Sequence, residues 1–283
     1  MKNKMCNRLI HYVSACMVLM VVLFQGIEVK AQDLLTIRSP NLKTTDSVFV
    51  YKPSNYHANS TYPTVFMLHG HSGNFRSWAK LVDLQALSNE YGFILVCPDG
   101  LKKSWYLNSP NKDSAQYEDF FFKELLPKVN KKYQTDQAKL FVTGYSMGGY
   151  GAMYYFIKYP EVFLSAGSTS GVLNLRHSGF KKTTLAYLLG PYTEDNKLFD
   201  EYSPVNQLAA IKDTKKTLIF DCGTEDYLYK ANNQFRQNLD ALKIKATYTS
   251  QPGAHTGGYW NKSIVGHFRF FAQLLRDKQE TIK

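Results

Sequence analysis

Gly144-Tyr145-Ser146-Met147-Gly148 sets a serine between two glycines in the G-x-S-x-G spacing of a nucleophile elbow. A serine hydroxyl becomes a useful nucleophile only when a base takes its proton. The surrounding residues supply the turn that would expose it. An apolar run, Leu140-Phe141-Val142-Thr143, leads in, and a helical pattern opens at Gly149. A Cβ at either flanking glycine would crowd the crossing of strand and helix. Gly148, Gly149, Gly151 and Ala152 leave the start of that helix bare for close packing. The chemistry implied is covalent acyl transfer with Ser146 as nucleophile.

Such a serine needs an imidazole, and the imidazole needs an orienting carboxylate, in the chain order Ser, Asp or Glu, His. Three histidines follow Ser146: His177, His255 and His267. His177 precedes every acid candidate, and His267 falls within the final helical pattern. His255 sits in a glycine-rich loop, residues 252–258, between a candidate strand and the last helix, and is the preferred base. The acid should follow the apolar run at 217–220, where Asp221, Glu225 and Asp226 qualify by order. Asp226 lies past the turn at Gly223 and projects from the loop, so it is preferred to the strand-end Asp221 and to Glu225. Two backbone N–H groups must face the developing oxyanion. Met147 supplies one, and His71, in His69-Gly70-His71-Ser72-Gly73, the other; the His69 and His71 side chains receive no catalytic role. Trp105, Tyr106, Tyr259 and Trp260 are candidates for an acyl or sugar platform. No cysteine or histidine spacing suits a metal, and this chemistry requires no cofactor.

These residues must be positioned by a sheet. Ser47 to Tyr51, Thr64 to Leu68, Phe93 to Cys97, Leu140 to Thr143 and Thr217 to Phe220 are short apolar runs without polar alternation. Such runs suit strands buried on both faces of a parallel sheet. Helical patterns lie between them, at 117–133 and at 263–278, where Ile264, Phe268, Phe271 and Leu275 share a face. The alternation predicts a doubly wound, mostly parallel α/β sheet with its ligand site beyond the carboxyl ends of the strands. Residues 175–215 break the rhythm and read as a short insertion before the acid-bearing strand, either a pocket wall or a plain connection.

The chain has 283 residues, 44% hydrophobic and 20% charged, which suits one α/β domain. Residues 1–31 differ: Lys2, Lys4 and Arg8 precede an apolar run from Tyr12 to Phe24, and Val29 and Ala31 stand at −3 and −1 of a cut before Gln32. This is the layout of a cleaved export signal, with 32–283 as the mature domain, periplasmic or secreted and without stable membrane insertion. A lipidation box at Val13-Ser14-Ala15-Cys16 is the alternative, giving an anchored lipoprotein. Cleavage lowers the formal net charge from +11 to +8, because Lys2, Lys4, Arg8, Lys30 and Glu28 depart. The remaining lysines are scattered, with no basic stripe interleaved with aromatics, so no nucleic-acid partner is expected. Cys97 and Cys222, each at the end of a strand-like run, are expected as buried free thiols.

Together these segments resemble the esterase D family of α/β-hydrolases. Its carriers are Leu68-His69-Gly70, Ser104-Trp105-Tyr106 with Tyr117-Glu118-Asp119, the elbow from Gly144 to Gly149, Cys222-Gly223-Thr224-Glu225-Asp226, and His255 with Tyr259-Trp260. The resemblance implies an α/β-hydrolase fold, a Ser146, Asp226, His255 triad, and oxyanion donors at His71 and Met147. That family includes feruloyl and acetylxylan esterases, tributyrin-type esterases, S-formylglutathione hydrolases and mycolyltransferases. One departure is the loop after His255, which reads Thr256-Gly257-Gly258 and lacks the tryptophan frequent there in the family. An exported chain fits poorly with a cytosolic thioester. The expectation is a serine esterase acting on a small-molecule or oligosaccharide ester, with acetyl or feruloyl groups as the acyl part. Acyl transfer to a sugar or lipid acceptor by the same triad is the alternative, and a non-catalytic binding module is the third reading. No motif sets an oligomeric state.

Overall fold

Residues 32–281 are described by the computed structural model, and the expected export signal at 1–31 lies outside the described residues. Eight strands form one sheet in the order β1-β2-β4-β3-β5-β6-β7-β8. β1 (Gln32–Ser39) and β2 (Thr44–Tyr51) form an antiparallel hairpin, and β2 runs antiparallel to β4 (Ile94–Pro98). From there β4, β3 (Tyr62–Leu68), β5 (Thr135–Tyr145), β6 (Ser165–Thr169), β7 (Thr217–Gly223) and β8 (Ala246–Gln251) are parallel.

Alternate residues of one strand enter different cores, as a period of two requires. Phe66, Leu68, Val96 and Val142 pack with the helix Met147–Lys158 and with Tyr117, Phe120 and Phe121. Val65, Met67, Leu95 and Phe141 pack instead with Ile264, Phe268 and Phe271 of the last helix, Gly257–Thr281. Helices therefore cover both faces, and the central strands have no wet side. This is the doubly wound sheet expected from the unbroken apolar runs. Cys97 and Cys222 are buried and free.

Three strands have no such run, and of these β8 is largely exposed. β1 buries only alternate residues, and β6, Ser165-Ala166-Gly167-Ser168-Thr169, is almost devoid of apolar side chains yet wholly buried. Small residues are required in β6: a Cβ on Gly167 would stand 2.4 Å from His267 Nδ1. The helix expected at 117–133 is interrupted by a π segment, Phe121–Leu125, before Leu126–Tyr133 resumes with a proline in its first turn. The last helix starts at Gly257 rather than near Ser263.

The segment between β6 and β7 folds into short helical pieces, including Thr184–Leu189, Leu198–Glu201 and Pro204–Gln207. Arg176 ties them together. Its guanidinium makes a two-point pair with Asp200, with Nε–Oδ1 and Nη2–Oδ2 both 2.6 Å, and donates to the Asn196 carbonyl at 3.1 Å. Hydrogen bonding from Arg176 holds the Asp200 carboxyl below its usual range.

Asp46, opposite Ile37 in the hairpin, is 1% exposed, and among the described residues neither carboxylate oxygen meets a hydrogen-bond donor in good geometry. Burial, reinforced by nearby Asp99, pushes its pKa from 3.8 up to about 9. A carboxyl raised in the folded state binds its proton more tightly there. Its effect on stability is therefore most favourable below the unfolded pKa and is lost as pH rises toward the folded one. Asp46→Asn, which removes the ionisation, should raise stability by on the order of 2–4 kcal/mol at pH 8 and by much less at pH 4.5. Urea denaturation of both proteins at the two pH values measures this.

Candidate active site

β5 ends at Tyr145, and the next helix begins at Met147, so Ser146 alone makes the turn. It does so at φ 54° and ψ −117°, a conformation that costs on the order of 1–3 kcal/mol for a residue with a Cβ. Hydrogen bonds hold it there: its N–H donates to Thr169 O at 3.0 Å, and its carbonyl accepts from Tyr150 N at 3.0 Å and Val172 N at 3.3 Å. The helix start presses against the end of β3. A Cβ on Gly148 would stand 2.1 Å from the Leu68 carbonyl oxygen, so only glycine fits.

Asp226 and His255 are brought to this serine from two neighbouring strand ends. His255 Nδ1 lies 2.8 Å from Asp226 Oδ2, and His255 Nε2 lies 2.9 Å from Ser146 Oγ. A carboxylate only accepts, so Nδ1 carries the proton and Nε2 is left to accept from the serine. Asp226 has no exposed side-chain surface, and its Oδ1 accepts from Leu228 N at 2.9 Å. Backbone bonds join the two loops: Thr224 N donates to Gln251 O at 2.9 Å and Glu225 N to Gly253 O at 3.0 Å.

The competing candidates go elsewhere. Glu225 and His177 are exposed. Asp221 and His267 pair with each other, Oδ2 to Nε2 at 2.8 Å, deep beneath the site. Thr169 Oγ1 donates to Asp221 Oδ1 at 2.7 Å, and His267 Nδ1 meets Thr143 Oγ1 at 2.7 Å. Both ring nitrogens are thus occupied by side chains of β5 and β7, and neither reaches Ser146.

The backbone N–H groups of His71 and Met147 find no protein acceptor among the described residues. The loop carrying His71 is pinned on several sides. Trp78 Nε1 donates to Leu68 O at 3.0 Å, Tyr106 OH to His69 O at 2.8 Å, and Ser72 N to Lys102 O at 2.8 Å. The His69 ring nitrogens bond elsewhere than Ser146, and they position this loop. Its Nε2 accepts the Gly100 N–H at 2.7 Å, which leaves Nδ1 to donate to Gly70 O at 2.8 Å. Gly70 also admits the Tyr145 ring, which a Cβ would meet at 2.5 Å.

A cleft of about 500 Å³ opens over Ser146, lined by Gly70, His71, Ser72, Tyr145, Phe180, Tyr227, His255 and Trp260. A larger hollow of about 630 Å³ lies by the β1–β2 hairpin, among Arg38, Lys43 and Thr45, and its lining includes no histidine or carboxylate to activate a hydroxyl. Of the four aromatics expected as a platform, only Trp260 reaches the cleft. It stacks on Tyr145 at 4.4 Å and turns its edge to His255 at 5.0 Å. Trp105 and Tyr106 are corrected to core positions. Both are 0% exposed in a left-handed turn at φ 51° and 54°. Trp105 Nε1 is anchored on Thr184 Oγ1 at 2.9 Å, and its ring braces Phe180 from behind, at 5.8 Å. Tyr259 is corrected likewise: it is 6% exposed and packs on Gly253. The cleft walls that were not anticipated are Tyr145, Phe180 and Tyr227. Phe180 belongs to the insertion and stacks on the His71 ring at 4.1 Å, so the insertion is a pocket wall. Burial, helped by Lys103, lowers the His71 pKa.

Comparison with known proteins places the chain in a family. The Esterase family model, described as "Putative esterase", matches residues 39–271. The chain belongs to this esterase family. Among curated proteins, an acetyl esterase of Caldicellulosiruptor saccharolyticus is 26% identical over 224 residues, covering 75% of this chain and 84% of its own length. An S-formylglutathione hydrolase structure from Agrobacterium tumefaciens superposes with a TM-score of 0.76 at 21% identity, covering 86% of this chain and 95% of that one. A ferulic acid esterase structure superposes at 0.73 with 22% identity, covering 86% and 98%. These structures share the α/β-hydrolase fold, and the family is that of carboxylic ester hydrolases of the esterase D type.

The buried Asp221–His267 pair makes a stability prediction separate from activity. Asp221→Ala leaves His267 Nε2 and the Thr169 hydroxyl without their acceptor at a buried position. It should lower unfolding free energy by about 3 kcal/mol, whereas Glu225→Ala at the surface should change it by less than about 0.5 kcal/mol. Chemical denaturation of the two variants distinguishes them.

Proposed function

We propose that the protein of this esterase family is an exported serine esterase that removes short or aromatic acyl groups from carbohydrate esters. The observation that carries the catalytic part is the unbroken line Asp226 Oδ2, His255 Nδ1, His255 Nε2, Ser146 Oγ, with contacts of 2.8 and 2.9 Å at a strained elbow. In this reading Ser146 Oγ attacks the ester carbonyl as His255 Nε2 takes its proton. Asp226 stabilises the imidazolium, and the His71 and Met147 N–H groups receive the oxyanion. The tetrahedral adduct collapses as His255 returns the proton to the leaving alkoxide. Water, activated by the same histidine, then releases the acid and restores the serine.

The carbohydrate part rests on the expected export signal, the aromatic walls of the cleft and the acetyl esterase relative. N-terminal sequencing of the exported mature protein tests the export, with Gln32 expected as the first residue.

Ser146→Ala should lower kcat by on the order of a millionfold and Asp226→Asn by roughly ten-thousandfold, measured on p-nitrophenyl acetate. Equal rates for wild type and Ser146→Ala would end the esterase reading. The wild-type enzyme should also release acetate or ferulate from acylated xylan oligosaccharides. Release of nothing from these substrates, with p-nitrophenyl acetate still cleaved, would end the carbohydrate part alone.

A further inference from the structure

Tyr227 is 58% exposed, although it directly follows the wholly buried Asp226 and precedes the 0%-exposed Leu228. Its ring centroid stands 4.8 Å from that of His255, and it lines the cleft. Its hydroxyl bonds no protein group among the described residues. Folding offers no reason for a large ring held open to water at this point.

The direction of the chemistry gives it one. The oxyanion must face the His71 and Met147 amides, and the leaving oxygen must come within reach of His255 Nε2, which protonates it. The alcohol portion of the ester therefore departs on the His255 side of Ser146, where the two adjacent rings are Tyr227 and Trp260. Trp260 already has one face stacked on Tyr145 at 4.4 Å. Phe180 stands on the opposite, oxyanion side, stacked on His71. Tyr227 is the ring with surface to offer an alcohol.

Building on the esterase reading above, we propose that Tyr227 is a specificity-determining residue that receives the sugar ring of the alcohol portion. A pyranose has an apolar C–H face and a rim of hydroxyls that prefer water. An open, one-sided tyrosine meets both needs: its face covers the C–H groups, and its free hydroxyl bonds the rim. A planar aryl alcohol would instead be best held in a slot closed on both faces. Because the platform touches the departing group and not the acyl carbon, it should tune the choice of alcohol independently of the acid.

The test uses the full mature enzyme and three acetyl esters: ethyl acetate, phenyl acetate and an acetylated methyl pyranoside. The reading is the ratio of kcat/KM for the pyranoside to kcat/KM for ethyl acetate. Tyr227→Ala should reduce this ratio about tenfold, chiefly through KM, and Tyr227→Phe should retain most of it. A loss on both esters in equal proportion would overturn the proposal, since it would mean that Tyr227 supports His255 rather than the alcohol. An unchanged ratio would overturn it too, as would an equal fall in the phenyl acetate ratio, which would indicate any flat apolar alcohol. Wild-type enzyme inactive on all three esters would instead remove the esterase reading itself, and a Ser146→Ala blank identifies that case.

Discussion

The contact between the Leu68 carbonyl at the end of β3 and the backbone of Gly148 sets the terms for everything above the sheet. With room there for no Cβ, the helix after β5 can begin one residue past the strand, and Ser146 must take up a backbone angle that few residues adopt. The strain is offset by the bond that Ser146 donates to Thr169 and those it accepts from Tyr150 and Val172, which belong to three different segments. The same approach of β3 to the elbow brings the loop of His71 beside the Met147 amide. One steric constraint thus places the Ser146 hydroxyl and the His71 loop at the same cleft.

Two histidine–carboxylate pairs bridge neighbouring elements, with opposite fates. Asp221 and His267 lie within the sheet and its covering helix, and every polar atom that links them to Thr143 and Thr169 is spent on holding β5, β6 and β7 together. Asp226 and His255 lie one turn farther out, past Gly223 and Gly253, where the second ring nitrogen can meet Ser146. The difference is position along the strand axis rather than residue type. Order along the chain permits either acid, and the buried pair explains why Asp221 is unavailable.

The cleft itself is built from connections. Arg176 folds the insertion upon Asp200, Trp105 anchors on Thr184 and braces Phe180, and Phe180 covers the His71 ring. Residues that do not line the cleft, such as Trp105, Tyr106 and His69, decide where the cleft wall and the His71 loop stand. Their substitution would be felt at the site through these bonds.

Local pattern determined the strand–turn–helix at Ser146, the central strands and the face of the last helix, because glycine spacing and unbroken apolar runs are properties of neighbouring residues. Chain order and a glycine-rich loop pointed to His255 and favoured Asp226, but left Asp221 and Glu225 open until the fold paired Asp221 with His267. Tertiary structure alone decided what lies beside them. β6 has no apolar run and is a strand only because its small residues fit between the elbow helix and His267. Trp105 and Tyr106 look like a platform in sequence, yet a left-handed turn carries both rings into the core, while Phe180 and Tyr227, from segments far apart in the chain, face the cleft. An aromatic residue favours burial and stacking equally, and which partner it finds depends on distant segments meeting in three dimensions.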